Sequence, residues 1–560
     1  MDKTKTEHEL MLERISLATQ RVKDATAQFS NLDDLQEHHI DEGLKITSLI
    51  SNMQNLTDKI KNTISQTQQQ PNFDVLKENR EPDNQNKKNN TPDIHPVVFE
   101  CITNHYALPD TRIVHRYRTN NPNDKIKATN LPVGLRWNSA KNQVEGKISK
   151  SGLYVYQITA TRAGKKTTTD VTLNVSDNLI SPTPLMGWMS WNIFQDKISE
   201  QNIKEVADLL VSSGLRDAGF DYVLIDDHWH ADSRDEQGNP VADLQKFPSG
   251  MKNLVDYIHS RGLKAGIYSD AAPHTCGGEF GSLNYELIDA RKYAEWGFDF
   301  LKYDYCGAPG DVETAKTRYK TMSDALKSTG KSFYFNICEW GERKPWLWAA
   351  NAGGHSWRVS FDSRDTWDHG KYDGSHCGVI QSIDIMKNLD YYAGPNQFND
   401  ADMMCVGLYG KGKPSSASGA RGMTDTEYQS QFSMWCMFST PLLISFDLST
   451  MNRATLDILT NKELIAINQD RLGQQARCVY SHEGHEVYLK DLENGDIAIA
   501  ILNRNNTKSD FNLKLADINL KSRYKIRDIV AKSDAGILSK TLKASISSHE
   551  AKVYRISKLK

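Results

Sequence analysis

Apolar positions change their period several times along this chain, and each change marks a new piece of structure. From Met11 to Leu32 they fall at Met11, Ile15, Ala18, Val22, Ala25, Phe29 and Leu32, in alternating steps of four and three. A second run follows at Ile46, Leu49, Met53, Leu56 and Ile60, after an interruption by Gln36, His38 and His39. Heptad spacing of this kind predicts a coiled coil or helical hairpin over residues 1–65, serving either for self-association through residues 11–60 or as a spacer. Residues 66–94 are rich in Gln, Asn, Lys and Pro. They hold too few apolar side chains to offset the entropy of ordering, and read as a polar linker.

Across residues 95–177 the rhythm becomes short alternating runs, such as Leu153-Tyr-Val-Tyr-Gln-Ile-Thr-Ala-Thr and Thr167-Thr-Thr-Asp-Val-Thr-Leu-Asn-Val, punctuated by Pro132-Val-Gly134 and Ser151-Gly152. That pattern predicts a small antiparallel sandwich. Over residues 180–472 strand and helix alternate. Strands are expected at 186–192, 222–227, 264–270, 300–305, 333–339, 356–362, 397–403 and 442–447. Amphipathic segments such as Ile203-Lys-Glu-Val-Ala-Asp-Leu-Leu and Leu254-Val-Asp-Tyr-Ile separate them. Eight such βα units close into a barrel. A polar insertion, Gly410 to Thr424, precedes the last unit. Over residues 473–560 short strands return, among them Val487-Tyr-Leu, Ile497-Ala-Ile-Ala-Ile-Leu, Tyr524-Lys-Ile-Arg-Asp and Val553-Tyr-Arg-Ile, with Asn494-Gly495 as a hairpin turn. They predict a second antiparallel sandwich in a supporting role.

Composition narrows the partners. A net charge of −3 over 560 residues gives no electrostatic case for nucleic acid or a membrane surface. No apolar run approaches the roughly 20 residues that span a bilayer. The charged start, Met1-Asp-Lys-Thr-Lys-Thr-Glu-His-Glu, lacks the apolar core of a secretion signal, which at face value makes the chain cytoplasmic. Eight cysteines in so long a chain are not a disulfide scaffold and show no zinc spacing. Tryptophans cluster between Trp188 and Trp367, a composition shared by sugar-binding rims and by large cores.

The chemistry lies at strand ends. Tyr222-Val-Leu-Ile-Asp226-Asp227, Leu301-Lys-Tyr-Asp304-Tyr and Ser356-Trp-Arg-Val-Ser-Phe-Asp362 each deliver carboxylates to the C-terminal rim of the expected barrel, where barrel enzymes place their active sites. One rim Asp alone is as readily a capping or salt-bridge residue; a set at successive strand ends is not. Two carboxylates about 5–5.5 Å apart across a sugar hydrolyse a glycosidic bond with retention, and Asp304 and Asp362 end the fourth and sixth strands. Gly407-Leu-Tyr-Gly-Lys-Gly412-Lys413 imitates a phosphate loop, but Pro414 stands where Ser or Thr is required and no strand-to-helix context fits. His228, His230 and His355 read as packing or hydrogen-bonding residues rather than metal ligands, so no metal and no cofactor is expected.

The segments Thr183-Pro-Leu-Met-Gly-Trp-Met-Ser-Trp-Asn, Ile225-Asp-Asp-His-Trp, Gly266-Ile-Tyr-Ser-Asp, Leu301-Lys-Tyr-Asp-Tyr-Cys, Cys338-Glu-Trp-Gly, Trp357-Arg358, Asn399-Asp-Ala-Asp-Met403 and Ile465-Ala-Ile-Asn-Gln-Asp470 together resemble glycoside hydrolase family 27, the α-galactosidase (melibiase) family. The resemblance runs from about residue 182 to the end. Ala128-Thr-Asn-Leu-Pro-Val-Gly-Leu-Arg-Trp-Asn to Val144-Glu-Gly-Lys resembles the immunoglobulin-like modules that precede many bacterial glycosidase domains. The family resemblance implies a retaining α-galactosidase acting on α-galactosyl oligosaccharides or glycans. In it Asp304 is the nucleophile and Asp362, four residues after Arg358, the acid/base, with Asp365 as the alternative. Asp226 and Asp227 would take the sugar's O6 and O4 hydroxyls. Lys302, Glu339, Arg358 and Asp402 would hold the others, and Trp191 and Tyr268 would line the pocket. Glu339 implies a free 2-hydroxyl, against an α-N-acetylgalactosaminidase. Asp226 implies a 6-hydroxyl, against a β-L-arabinopyranosidase. The other class, a catalytically silent carbohydrate-binding protein, would have lost one of the carboxylates. The family often bridges the positions of Cys276 and Cys306; in a reducing compartment both would stay thiols. Ala401 stands where the family often has Pro, and the insertion leaves leaving-group preference open.

Overall fold

The computed structural model describes residues 96–370, 376–416 and 421–559. All of them belong to the second of two compact units, Pro92–Lys560. The expected helical extension and polar linker lie outside the described residues.

Two small sheets come first. One orders Asn104–Ala107, Lys165–Val175, Gly152–Arg162 and Lys125–Thr129 side by side; the other orders Ile113–Arg116, Gln143–Gly146 and Leu135–Asn138. Alternation along the long strand buries Tyr156, Ile158 and Ala160 and leaves Leu153 and Val155 exposed, as a period of two requires. One pair departs from the antiparallel expectation: Asn104–Ala107 runs parallel to Lys165–Val175. No tight turn joins these two strands, so nothing in the connection forces them antiparallel. The buried interior holds an aromatic polar network. His105 and His115 stack with ring centroids 3.5 Å apart, His115 Nδ1 meets Tyr156 Oη at 2.9 Å, and Tyr117 Oη lies against both His105 and Tyr156.

All eight expected barrel strands are present: Met186–Met189, Tyr222–Leu224, Lys264–Asp270, Phe300–Asp304, Tyr334–Ile337, Ser356–Arg358, Phe398–Asp400 and Leu442–Ile444. The first seven pair in parallel with their sequence neighbours, and the eighth pairs with the first. A further parallel bridge between Met404 and Ile444 joins the seventh strand's end to the eighth. Val223, Leu301, Ile337 and Trp357 are fully buried, the composition of strands covered on both faces. The amphipathic segments are helices where expected, Glu200–Ser212 and Gly250–Ser260. The first is capped by the Ser199 side chain, which accepts from Asn202 N–H.

The last part carries a six-stranded antiparallel sheet ordered Arg477–His482, His485–Asp491, Ile497–Asn503, Ala551–Lys558, Tyr524–Asp528 and Ser533–Leu538. A two-stranded sheet of Ser509–Lys514 and Thr541–Ile546 accompanies it. Charged side chains tie these parts together, one through an ion pair and one through hydrogen bonds. Arg116 reaches Asp491 at 2.6 Å, and the buried Lys490 donates to the carbonyl of Cys436 at 3.2 Å and to Ser439 Oγ at 2.6 Å. No helix among the described residues is long and apolar enough to cross a membrane.

Candidate active site

Strand period and register assemble the site. Lys302 and Asp304 are two residues apart on the fourth strand and share its inward face. Register places them beside Tyr268 and Asp270 of the third strand. The second strand's end supplies Asp226 and Asp227, the sixth supplies Arg358 and, beyond it, Asp362, and the seventh leads to Asp402.

Lys302 is the hub of one half. Its Nζ lies 3.0 Å from Asp226 Oδ2 and 3.9 Å from Asp304 Oδ2. Burial alone would weaken its hold on a proton, but Asp226 and Asp304 outweigh this and keep it charged. Tyr268 Oη donates to Asp304 Oδ2 at 3.2 Å, and the Tyr305 N–H donates to its Oδ1 at 3.1 Å. Asp227 accepts from the backbone N–H groups of His228 and Gly277, each at 2.8 Å. That close approach demands glycine at 277, where a Cβ would stand 2.4 Å from His228 and 2.8 Å from the Asp227 carboxylate.

Arg358 organises the other half. Its Nη1 pairs with Asp402 Oδ1 at 2.9 Å and its Nη2 with Asp362 Oδ1 at 3.2 Å. The Ser363 N–H donates to the other Asp402 oxygen at 2.7 Å. Glu339 is fully buried, and its Oε2 accepts from the Arg343 N–H at 2.8 Å and from Nη1 at 3.1 Å. Its Oε1 has no protein partner among the described residues, and burial pushes the carboxyl up to about 7 against the pull of Arg343.

Exposure grades across this set. The side chains of Asp227, Asp226, Asp402 and Asp304 keep 1–5% of their surface, whereas Asp362 keeps 41%. Asp362 stands at the mouth and the others at the bottom. Burial raises the proton affinity of Asp304; Lys302 opposes this, and the negative charges of Asp362 and Asp226 add to it. At Asp362 burial also raises, but Arg358, Lys302 and Lys413 together bring its carboxyl below the ordinary range. The two carboxylates feel each other and titrate as one system. These directions put the shared proton on Asp304, so a double displacement, which needs Asp304 as the anion and Asp362 as the acid, requires that proton to pass to Asp362 when a sugar binds.

The structure brings together Trp191, Asp226, Asp227, Tyr268, Lys302, Asp304, Glu339, Arg358, Asp362 and Asp402 by these contacts and by position. Asp365, the alternative acid, is removed from contention by its surroundings. Fully buried, it accepts from Gly410 N–H (2.8 Å), Ser415 Oγ (3.0 Å) and Tyr428 Oη (2.8 Å). Cys276 and Cys306 form a disulfide with Cα atoms 5.1 Å apart. Their sulfurs lie near the Asp270 and Asp304 carboxylates, but a disulfide offers no thiolate to a metal. The histidines behave as packing and hydrogen-bonding residues. His228 pairs with Glu279 at 2.9 Å, His355 Nδ1 accepts from Phe335 N–H at 3.0 Å, and His230 stacks on Trp229 at 3.9 Å.

Three participants were not singled out from the chain. Asp270 ends the third strand inside a quoted motif, and its proton affinity is raised by burial and by Asp304; the strand-end rule applied to Asp304 would have found it. Arg343 holds Glu339 from four residues on, a helical-turn spacing. Lys413, with Nζ 4.0 Å from the Trp191 ring centroid, arrives from the insertion, and no local signal marks it.

A closed barrel with paired carboxylates around a basic hub at its C-terminal rim is the layout of a glycoside hydrolase. The family model for alpha galactosidase A matches residues 183–470, and that for the alpha galactosidase C-terminal beta sandwich domain matches residues 482–556. Alpha-galactosidase A of Cellvibrio japonicus is 44% identical over 59% of this chain and 78% of its own length. The alpha-galactosidase of Oryza sativa is 41% identical over 68% of this chain and 85% of its own. Among solved structures, alpha-galactosidase I from Mortierella vinacea superposes with a TM-score of 0.64 at 32% identity, covering 68% of this chain and 99% of that one. The chain belongs to the α-galactosidase (melibiase) family.

Proposed function

We propose that this protein is a retaining α-galactosidase that releases terminal non-reducing α-D-galactosyl residues. The observation that carries the reading is the pair Asp304 and Asp362. The first is buried against Lys302, and the second stands at the mouth in the grip of Arg358. Asp304 attacks the anomeric carbon while Asp362 gives its proton to the departing oxygen, leaving a galactosyl ester on Asp304. Asp362, now a carboxylate, takes a proton from water. The water oxygen attacks the same carbon, and galactose leaves with its configuration retained.

Specificity follows from acceptors that the protein leaves for the sugar. Glu339 Oε1 is buried with no protein partner among the described residues. In this reading the partner it awaits is a free 2-hydroxyl. Asp226 and Asp227 take the 6- and 4-hydroxyls. A sugar lacking either leaves a buried carboxylate unpaired, which costs far more than a missing apolar contact. Lys302, Arg358 and Asp402 hold the remaining hydroxyls, and Trp191 and Tyr268 form the walls.

The rest of the chain serves this barrel in the same reading. Residues 95–177 form an immunoglobulin-like spacer, 180–472 the catalytic barrel, and 473–560 a supporting sandwich.

Rates on nitrophenyl α-galactoside, α-N-acetylgalactosaminide and β-L-arabinopyranoside test the specificity, and NMR of the first-formed anomer tests the stereochemistry. The α-galactoside should lead and α-galactose should appear first. Either competitor leading, or β-galactose appearing first, overturns the reading.

A further inference from the structure

We propose that Lys413 forms the leaving-group side of the site, donating to oxygens of the sugar next to the scissile bond, and that Asp365 is the positioning residue that holds it there. This rests on the galactosidase reading. The Lys413 ammonium lies 4.0 Å from the Trp191 ring centroid, where the face of the indole fixes a cation. The residue is half-buried, and its charge acts on Asp362 and Asp226 of the site.

Two contacts set its position. Gly412, at φ +75°, packs its backbone so closely that a Cβ there would meet the Asn192 carbonyl oxygen at 2.4 Å, and Asn192 directly follows Trp191. On the other flank the Gly410 N–H and Ser415 Oγ both donate to Asp365 Oδ2, at 2.8 and 3.0 Å, while Tyr428 Oη holds the second oxygen at 2.8 Å. Asp365 lies three residues beyond Asp362. One buried carboxylate therefore fastens the segment bearing Lys413 to the loop bearing the acid/base. Phe361, next to Asp362 in the chain, stacks on Trp340 with planes 5° apart and supplies an apolar surface for the C–H face of a ring. A cation beside an aromatic wall at the mouth suits a hydroxyl-rich sugar as leaving group. A plain aryl group offers the ammonium no acceptor.

The test compares kcat/KM on melibiose, whose leaving group is a sugar, with that on phenyl α-galactoside. Lys413→Met should lose about tenfold on melibiose, the effect of one hydrogen bond to a charged group, and less than about threefold on the phenyl glycoside. Lys413→Arg should keep most of the melibiose rate. Asp365→Asn should lower the ratio of the two rates as Lys413→Met does, and the double variant should lose no more than either single one. The charges facing Asp362 are Arg358, Lys302, Arg364, Lys413 and Asp304. Removing one of the cations should move the alkaline limb of the pH profile to higher pH in Lys413→Met, which a merely structural role would not do. Equal loss on both substrates, or no loss on either, overturns the proposal for an active enzyme. Wild-type protein inactive on both galactosides overturns the galactosidase reading and this proposal with it.

Discussion

Replacing Lys302 by Met removes the charge on which both buried carboxylates of the pocket floor lean. The ammonium stands 3.9 Å from Asp304 Oδ2 and 3.0 Å from Asp226 Oδ2, with all three side chains at most 10% exposed. At an effective dielectric constant of about 20, unit charges at the longer distance interact by about 4 kcal/mol, equivalent to about three pH units in the midpoint of Asp304. That figure is a ceiling, because Tyr268 and water adjust when the charge goes. The sign is fixed. Losing a neighbouring cation favours the protonated carboxyl, and a protonated Asp304 does not attack. The acid limb of kcat/KM for an aryl α-galactoside should therefore move to higher pH by between about one and three units. Below the new midpoint activity should fall about tenfold per pH unit. Thermal melting of the variant, read in parallel, separates this from a loss of fold. A uniform loss at every pH, with the limb unmoved, would refute the electrostatic role and leave Lys302 as a donor to the sugar alone.

Three further outcomes follow from other parts of the molecule. Asp304→Ala should abolish turnover while melting stays close to wild type, since the carboxylate's partners are the Tyr268 hydroxyl, the Tyr305 N–H, the Cys338 thiol and Lys302; turnover within tenfold of wild type would remove it from the mechanism. Opening the Cys276–Cys306 bridge by Cys306→Ser releases a loop of sequence separation 30, a destabilisation of at most about 4 kcal/mol. It should raise KM more than it lowers kcat, because Gly277 of that loop holds Asp227; unchanged KM and melting would count against it. His105 and His115 are buried and neutral, with His105 lowered from 6.5 to about 3 by burial and His115 lowered by burial and by its neighbour. The unfolded state therefore binds more protons, and their contribution is complete above pH 6.5 and lost as pH falls toward 3. By about pH 5 the His105 ring alone costs roughly 2 kcal/mol and His115 adds in the same direction, so hydrogen exchange in Gly152–Arg162 and Lys165–Val175, corrected for its intrinsic pH dependence, should accelerate relative to the barrel strands. Equal protection would contradict it.

The barrel was legible in the sequence because its strands are buried on both faces and its helices on one, so the two periods contrast sharply between Met186 and Ile444. The edges of the sandwiches were less so. Ser533–Leu538 reads Ser-Asp-Ala-Gly-Ile-Leu, and its residues are exposed up to Leu538; with almost nothing to bury, the pattern that marks a strand is absent. Asn104–Ala107 is four residues long and is held by pairing with a partner far along the chain, information that no window of neighbours contains.

The site divides along the same line. Asp226, Asp304 and Arg358 sit on strands or directly at their ends, so the period that places the strand also places the side chain. Asp362 and Asp365 differ by three residues in one loop, and composition alone gives them equal standing. What separates them is reach. Asp362 opens to the pocket mouth beside Arg358, whereas Asp365 turns away to collect three donors from Gly410, Ser415 and Tyr428, all more than forty positions later in the chain. Lys413 is the sharper case, since the sequence around it imitates a phosphate loop and draws attention to the wrong chemistry. Its meaning comes from Trp191, at the opposite end of the barrel sequence, and from the Asp365 clamp. A residue whose place is set by partners so distant carries no signature of its own, so the strand-end carboxylates were readable while the cation beside Trp191 emerged only when the ring closed.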